Sequence, residues 1–274
     1  MTIYDKMLAV LSEKKGTATV NIEQEVMQRI ALAGLYRGGF FKYAAFYGGT
    51  CLRLFHGLPR YSEDMDFSLI EKRNDVHIND YFPAIIEEFR LSGHEVEIVK
   101  KDKKKFGRVE SAFLKESTEA YDIKFQTKKN LKVKIELDTD PPLNFETEQL
   151  LLQQPYSFYT RCFTLPSLFA GKMHALIYRN WKNRVKGRDW YDLEWYVRWD
   201  IPLDFKHLQE RIREFNGTEI DKNNFIELLK EKLSNTDIER VKDDVAGFVE
   251  NPHDLDIWSN EYFLKLADKI TFKE

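Results

Sequence analysis

The stretch AFYGGTCLRLFHGLPRYSEDMDFSLIEK (45–72) sets two adjacent glycines, Gly48 and Gly49, and then Thr50 at the end of an apolar run. After a thirteen-residue spacer an acid-x-acid pair, Asp64 and Asp66, stands inside a second apolar run. Side chains two apart on a strand share a face. Asp64 and Asp66 therefore look one way while Met65 and Phe67 enter a core. The pattern predicts a short strand over KYAAFYGG, a brief helix over CLRLFHGL closed by Gly57, and a second strand over MDFSLI (65–70).

Around this unit, residues 21–37 read as an amphipathic helix stopped by Gly38-Gly39, and 80–93 as a helix stopped by Gly93. HEVEIVKK, RVESAFLKE and NLKVKIELD read as three strands of alternating character. Beyond Pro166 the spacing turns helical, with helices expected over 166–181, 188–199, 204–215, 222–233, 236–249 and 259–269, and with Thr218, Asp221 and Ser234 as caps. The expected fold class is α+β. A mixed β-sheet flanked by helices forms one domain over 1–155, and a mainly α-helical C-terminal domain fills 156–274.

Carboxylates placed this way are ligands for hard cations. Two Mg2+ ions held by three acids would clamp the attacking and leaving oxygens of an in-line displacement on a nucleoside triphosphate. Asp64 and Asp66 supply two such acids. KVKIELD offers a third, because Glu136 and Asp138 share the face opposite Val133, Ile135 and Leu137. The bland alternative is a pair of ordinary strands with polar outer faces. Glycine at the strand end lets backbone N–H groups approach phosphates with no Cβ in the way, and Thr50 can add a hydroxyl. A helix beginning there would favour the same negative charge.

In the second half, LPSLFAGKMHALIYRNWKNRVKGRDWYDLEWYV (165–197) places Leu168, Lys172, Ala175 and Arg179 on one helical stripe. The two cations are either snorkelling side chains or phosphate ligands. Two like charges on one stripe call for an anion, or for Asp189 or Asp192, nearby. Removing Lys172 from the empty protein is expected to relieve slight strain. Trp190, Leu193 and Val197 form an apolar stripe of the next helix. His174 and His56 read as structural, with neither having neighbours at zinc-ligand spacing, and Cys51 reads as a small buried side chain.

The Gly-Gly-Thr run with its Asp-x-Asp resembles the DNA-polymerase-β-type nucleotidyltransferase superfamily. More narrowly, Arg60, Ser62, Glu63, Asp64, Asp66 and Phe67 match in order the block of the AbiEii/AbiGii toxin family, whose lysine helix and R-D-x-x-D-L block the second half also resembles. The resemblance implies that Asp64, Asp66 and Glu136 bind metal, with Asp138 the alternative to Glu136. It implies that Gly48, Gly49, Thr50, Ser62, Lys172 and Arg179 surround the NTP. Asp189 would be the further required acid, with Asp192 the alternative. It further implies an NTP-dependent toxin of a toxin–antitoxin or phage-abortive system, with a transcriptional-regulator antitoxin as partner and tRNA as an acceptor. A small-molecule or protein nucleotidyltransferase, or a fold that only binds a nucleotide or a partner, are the alternatives.

The net charge of −3 does not itself announce a polyanionic partner, but basic runs at 100–108, 128–134 and 178–188 leave room for RNA. Two cysteines make no disulfide framework, no apolar run is long enough to span a membrane, and no secretory signal opens the chain. A cytoplasmic setting is expected.

Overall fold

The computed structural model describes residues 1–15, 19–101, 117–126, 131–179 and 185–274. The chain divides into two units, one comprising 1–141 with 147–162 and the other 142–146 with 163–274. The boundary expected at 155/156 falls between two strands of the first unit's sheet.

The first unit opens with α1 (Ile3–Lys15) and α2 (Thr19–Arg37), then β1 (Ala44–Tyr47), α3 (Gly48–His56), β2 (Asp64–Leu69) and α4 (Phe82–Leu91). Strands β3 (Val96–Lys100), β4 (Thr118–Phe125), β5 (Lys132–Asp138), β6 (Thr147–Leu152) and β7 (Phe158–Phe163) follow. They form one seven-stranded sheet in the order β3-β4-β5-β2-β1-β7-β6. β2 pairs parallel with β5 and β1 parallel with β7, while β1–β2, β3–β4 and β4–β5 are antiparallel. The sheet is mixed, as expected.

Alternation decides the faces. Met65, Phe67 and Leu69 of β2, Val133, Ile135 and Leu137 of β5, and Tyr121, Ile123 and Phe125 of β4 are all buried on the helix-covered side. Their neighbours in sequence carry the charges. α2 buries nearly every side chain from Glu25 to Leu35, and Gly34 lets α4 approach so closely that a Cβ there would stand 2.6 Å from the Ile85 Cα.

The second unit is helical: α5 (Leu165–Tyr178), α6 (Gly187–Arg198), α7 (Phe205–Asn216), α8 (Lys222–Asn235), α9 (Ile238–Ala246) and α10 (Asn260–Ala267). All six were expected within a few residues. Asp221 caps α8 as predicted, by accepting from the Asn224 N–H at 2.8 Å. Ser234 does not cap. Its hydroxyl donates to the Lys230 carbonyl within α8, and the caps of α7, α9 and α10 are Asp204, Asp237 and Ser259.

The strand expected at RVESAFLKE lies outside the described residues. β4, β6, β7 and α1 were not anticipated. None of the helices is long and apolar enough to cross a membrane, among the described residues.

Candidate active site

The turn between β1 and α3 requires its glycines. Gly48 has a φ of +81°, in the left-handed region that disfavours a Cβ. A Cβ there would also collide with Asp66 Oδ2 and lie 3.1 Å from its Cγ. At Gly49 a Cβ would stand 2.9 Å from both Arg60 Nη2 and Ser62 Oγ. The absent side chains thus leave a cradle whose walls are Asp66, Arg60 and Ser62. The backbone N–H groups of the first turn of α3 have no intrahelical acceptors.

Thr50 is fully buried and its hydroxyl donates to the Asp64 carbonyl. Its side chain ties the head of β2 to the glycine turn. From the other side Gln28 of α2 donates to the Ser62 carbonyl at 2.8 Å and to that of Glu63 at 3.3 Å. Arg60 is 1% exposed and donates to the Tyr61 carbonyl at 2.9 Å. Arg53 pairs with Glu25 at 3.0 Å and lies 4.4 Å from the Tyr61 ring centroid. The loop carrying Ser62 and Glu63 is therefore built in place before any ligand arrives.

On the open face, Asp66 pairs in register with Glu136 and Asp64 with Lys134, while Ser68 faces Asp138. On the far side of β5, Asp122 of β4 stands opposite Lys134. The expected acids do share a face, and the geometry sets Glu136 directly beside Asp66; Asp138 is one step further along. The Lys134 ammonium lies 2.6 Å from Glu136 Oε1. Burial pushes the Glu136 carboxyl up to about 7, with Asp66 and Asp64 adding repulsion against the pull of Lys134. Burial would lower the Lys134 ammonium, but Glu136, Asp64 and Asp66 raise it.

Among the described residues no three His, Cys, Asp or Glu side chains stand close enough together to hold a metal as they are. Lys134 draws Glu136 to itself. The donor chemistry still fits a hard divalent cation, since carboxylate oxygens on adjacent strands face a cradle that any Cβ at Gly48 would fill.

The second unit carries the other predicted residues. Lys172 of α5 donates to Asp189 Oδ1 at 2.9 Å and pairs with Asp192 Oδ2 at 2.8 Å, and Arg179 reaches Asp189 Oδ2 at 3.5 Å. Asp189 and Asp192 lie one turn apart on α6 and are almost wholly buried. Burial works to raise the Asp189 carboxyl, yet Lys172, Arg179 and Lys186 hold it well below the carboxylate range. Burial, and Arg179 after it, pushes the Lys186 ammonium down to about 8. The like charges on the α5 stripe are thus compensated by both aspartates, which makes the expected relief on removing Lys172 wrong. His174 is buried with its Nε2 3.0 Å from Asn216 Oδ1, in keeping with a structural role.

Two charged residues of the open face were missed from the sequence. Lys134 sits in the same alternating KVKIELD that gave Glu136, where only acids were sought. Asp122 lies in TEAYDIKF, whose alternation of Tyr121, Ile123 and Phe125 could have revealed β4.

Residues 30–265 match the family model described as nucleotidyl transferase AbiEii toxin, type IV TA system. No curated protein matches the chain. Among solved structures it is similar to MenT4, a nucleotidyltransferase toxin from Mycobacterium tuberculosis, at 14% identity and a TM-score of 0.59, covering 96% of this chain and 88% of that one. It is also similar to JHP933 from Helicobacter pylori, at 18% identity and a TM-score of 0.54, covering 91% and 89%. At these identities the likeness is one of fold.

Proposed function

Because the chain belongs to the AbiEii family of nucleotidyl transferase toxins, and is therefore a nucleotidyltransferase that consumes an NTP, we propose that it moves a nucleoside monophosphate onto an acceptor hydroxyl at the open face of the first unit's sheet. The observation that supports this most is the register of Asp66 with Glu136 beside the Gly48 cradle.

Asp64, Asp66 and Glu136 would hold Mg2+, two ions when the NTP is bound. The metal supplies charge neutralisation at the attacking and leaving oxygens. Glu136 would also accept the acceptor hydroxyl's proton. Gly48, Gly49 and the amide of Thr50 would receive phosphate oxygens, with Ser62 at the cradle wall. The family resemblance makes Lys172 and Arg179 phosphate ligands as well, and within the second unit Asp189 and Asp192 fix where the Lys172 ammonium lies. Catalysis on this reading is positioning and electrostatics.

The acceptor is proposed to be RNA, with tRNA first among candidates, because of the three basic runs in the sequence. The family's type IV toxin–antitoxin context implies an antitoxin as partner. Incubation with each labelled NTP, Mg2+ and total tRNA tests the proposal. Label should enter the tRNA fraction with one NTP and vanish on chelation. Transfer of label only to protein or to a small molecule would overturn the choice of acceptor.

A further inference from the structure

On the open face, Lys134 stands among carboxylates on three strands. Asp64 is its partner in register on β2, Asp122 its partner on β4, and Glu136 its neighbour two residues along β5. Asp122 has cations of its own, with Lys101 at 3.4 Å and Lys132 at 3.5 Å. The Lys134 ammonium lies 2.6 Å from Glu136 Oε1, and both side chains are only 14% exposed. Adjacent strands lie about 4.8 Å apart, so Asp64, Asp66 and Glu136 crowd one small area of low solvent access. Without a cation among them, like charges at this spacing disfavour one another.

We propose that Lys134 is the built-in counter-ion of this acidic face: in the metal-free protein it neutralises Glu136 and its neighbours, and it must release Glu136 before a divalent cation can take that carboxylate. Lys134 is thereby a positioning residue that sets how much metal the site requires. The inference rests on the reading that Asp64, Asp66 and Glu136 take a divalent ion. Geometry sets it apart from an ordinary surface ion pair, since a tethered ammonium and an incoming cation would compete for one buried oxygen. A lysine that served the metal-bound state would instead lose metal affinity when removed.

Titration of the full chain with Mn2+, following free Mn2+ by electron paramagnetic resonance without nucleotide, tests it. Lys134→Gln should bind Mn2+ about tenfold more tightly, the change expected when one competing charge of ordinary strength is removed. It should melt below wild type without Mn2+ and gain more than wild type on its addition. Lys134→Arg should stay near wild type. If Lys134→Gln is too unstable to titrate, the double variant Lys134→Gln/Asp66→Asn should melt above the single one, because the unrelieved repulsion is gone. Equal or weaker Mn2+ affinity in Lys134→Gln, or a double variant no more stable than the single, overturns the proposal. If wild type and Asp66→Asn bind Mn2+ equally poorly, the metal reading itself falls, an outcome distinct from wild-type binding that Lys134→Gln leaves unmoved.

Discussion

The two charged clusters of this molecule are built on opposite plans. The sheet face of the first unit sets Asp64, Asp66 and Glu136 around Lys134, so acids outnumber the ammonium they surround. The helical cluster of the second unit sets Lys172 and Arg179 against Asp189 and Asp192, and every one of these charges has an opposite partner. A balanced, buried network supports the fold and loses stability when a member goes. An overcharged face costs stability and is retained for what it binds. Removing an acid should therefore spare folding in the first unit and cost stability in the second.

The largest expected effect is on chemistry. Asp66→Asn should lower nucleotide transfer by about a thousandfold or more, the scale on which a preorganised charge acts on a transition state. The melting temperature should stay level or rise, because one of the crowded charges is removed. A variant that keeps its rate would assign Asp66 to the fold and dissolve the contrast. Next comes Asp192→Ala in the second unit. It leaves the Lys172 ammonium short of a partner in a site where its side chain is 13% exposed. A loss of about 3 kcal/mol in denaturant unfolding is expected, the lower end for breaking a buried pair. Lys172→Ala should destabilise as well. A variant of either kind as stable as wild type would show that the network adds nothing to folding.

How much of this could be read from the chain follows the same division. Helical spacing in the second half gave the six α-helices described there, because a 3.6-residue stripe persists over a dozen residues and survives a few exceptions. The candidate site was legible where chemistry forced unusual residues together: two glycines at a strand end, and acids alternating with apolar side chains. Short strands gave less. In TEQLLL of β6 four of six side chains are exposed, so no alternation marks it. β7 pairs with β1 through residues far off in sequence, which no local pattern announces. Thr50 was expected to offer its hydroxyl to a ligand, whereas the structure turns that hydroxyl toward the Asp64 carbonyl. Nothing in a Gly-Gly-Thr run tells which way the threonine turns.

A smaller effect should appear at the turn joining backbone to site. Gly48→Ala forces a Cβ into the left-handed region at φ +81° and against the Asp66 carboxylate. Backbone strain of this kind costs about 1–3 kcal/mol. Because the obstruction falls on Asp66, transfer should drop further than stability alone explains. Activity measured well below the melting temperature separates the two. A Gly48→Ala variant that is less stable but fully active would mean that the carboxylate is free to leave the cradle without consequence.

The smallest expected effect is on pH dependence, and it too should divide the units. In the second unit, burial pushes both His174 and His207 down to about 3, with Arg211 adding to this at each. A histidine whose folded value lies below its unfolded one, near 6.5, contributes stability that is whole above pH 6.5 and falls as pH drops toward 3. In the first unit His56 behaves likewise, lowered to about 4 by burial. Glu136 works the other way: its folded value of about 7 lies above the unfolded one, so its contribution grows as pH falls from 7 toward 4.5. Between pH 6.5 and 5 the two terms of the first unit oppose each other. The second unit should lose about 1.4 kcal/mol per pH unit for each buried histidine at full effect. Hydrogen exchange in the metal-free protein, corrected for intrinsic rates, should show amides of α5 and α7 losing protection from pH 6.5 to 5 while those of β2 and β5 hold theirs. Equal loss in both sets, or none in α5 and α7, would mean that the histidines titrate alike folded and unfolded, and that the clusters differ in charge balance but not in their response to acid.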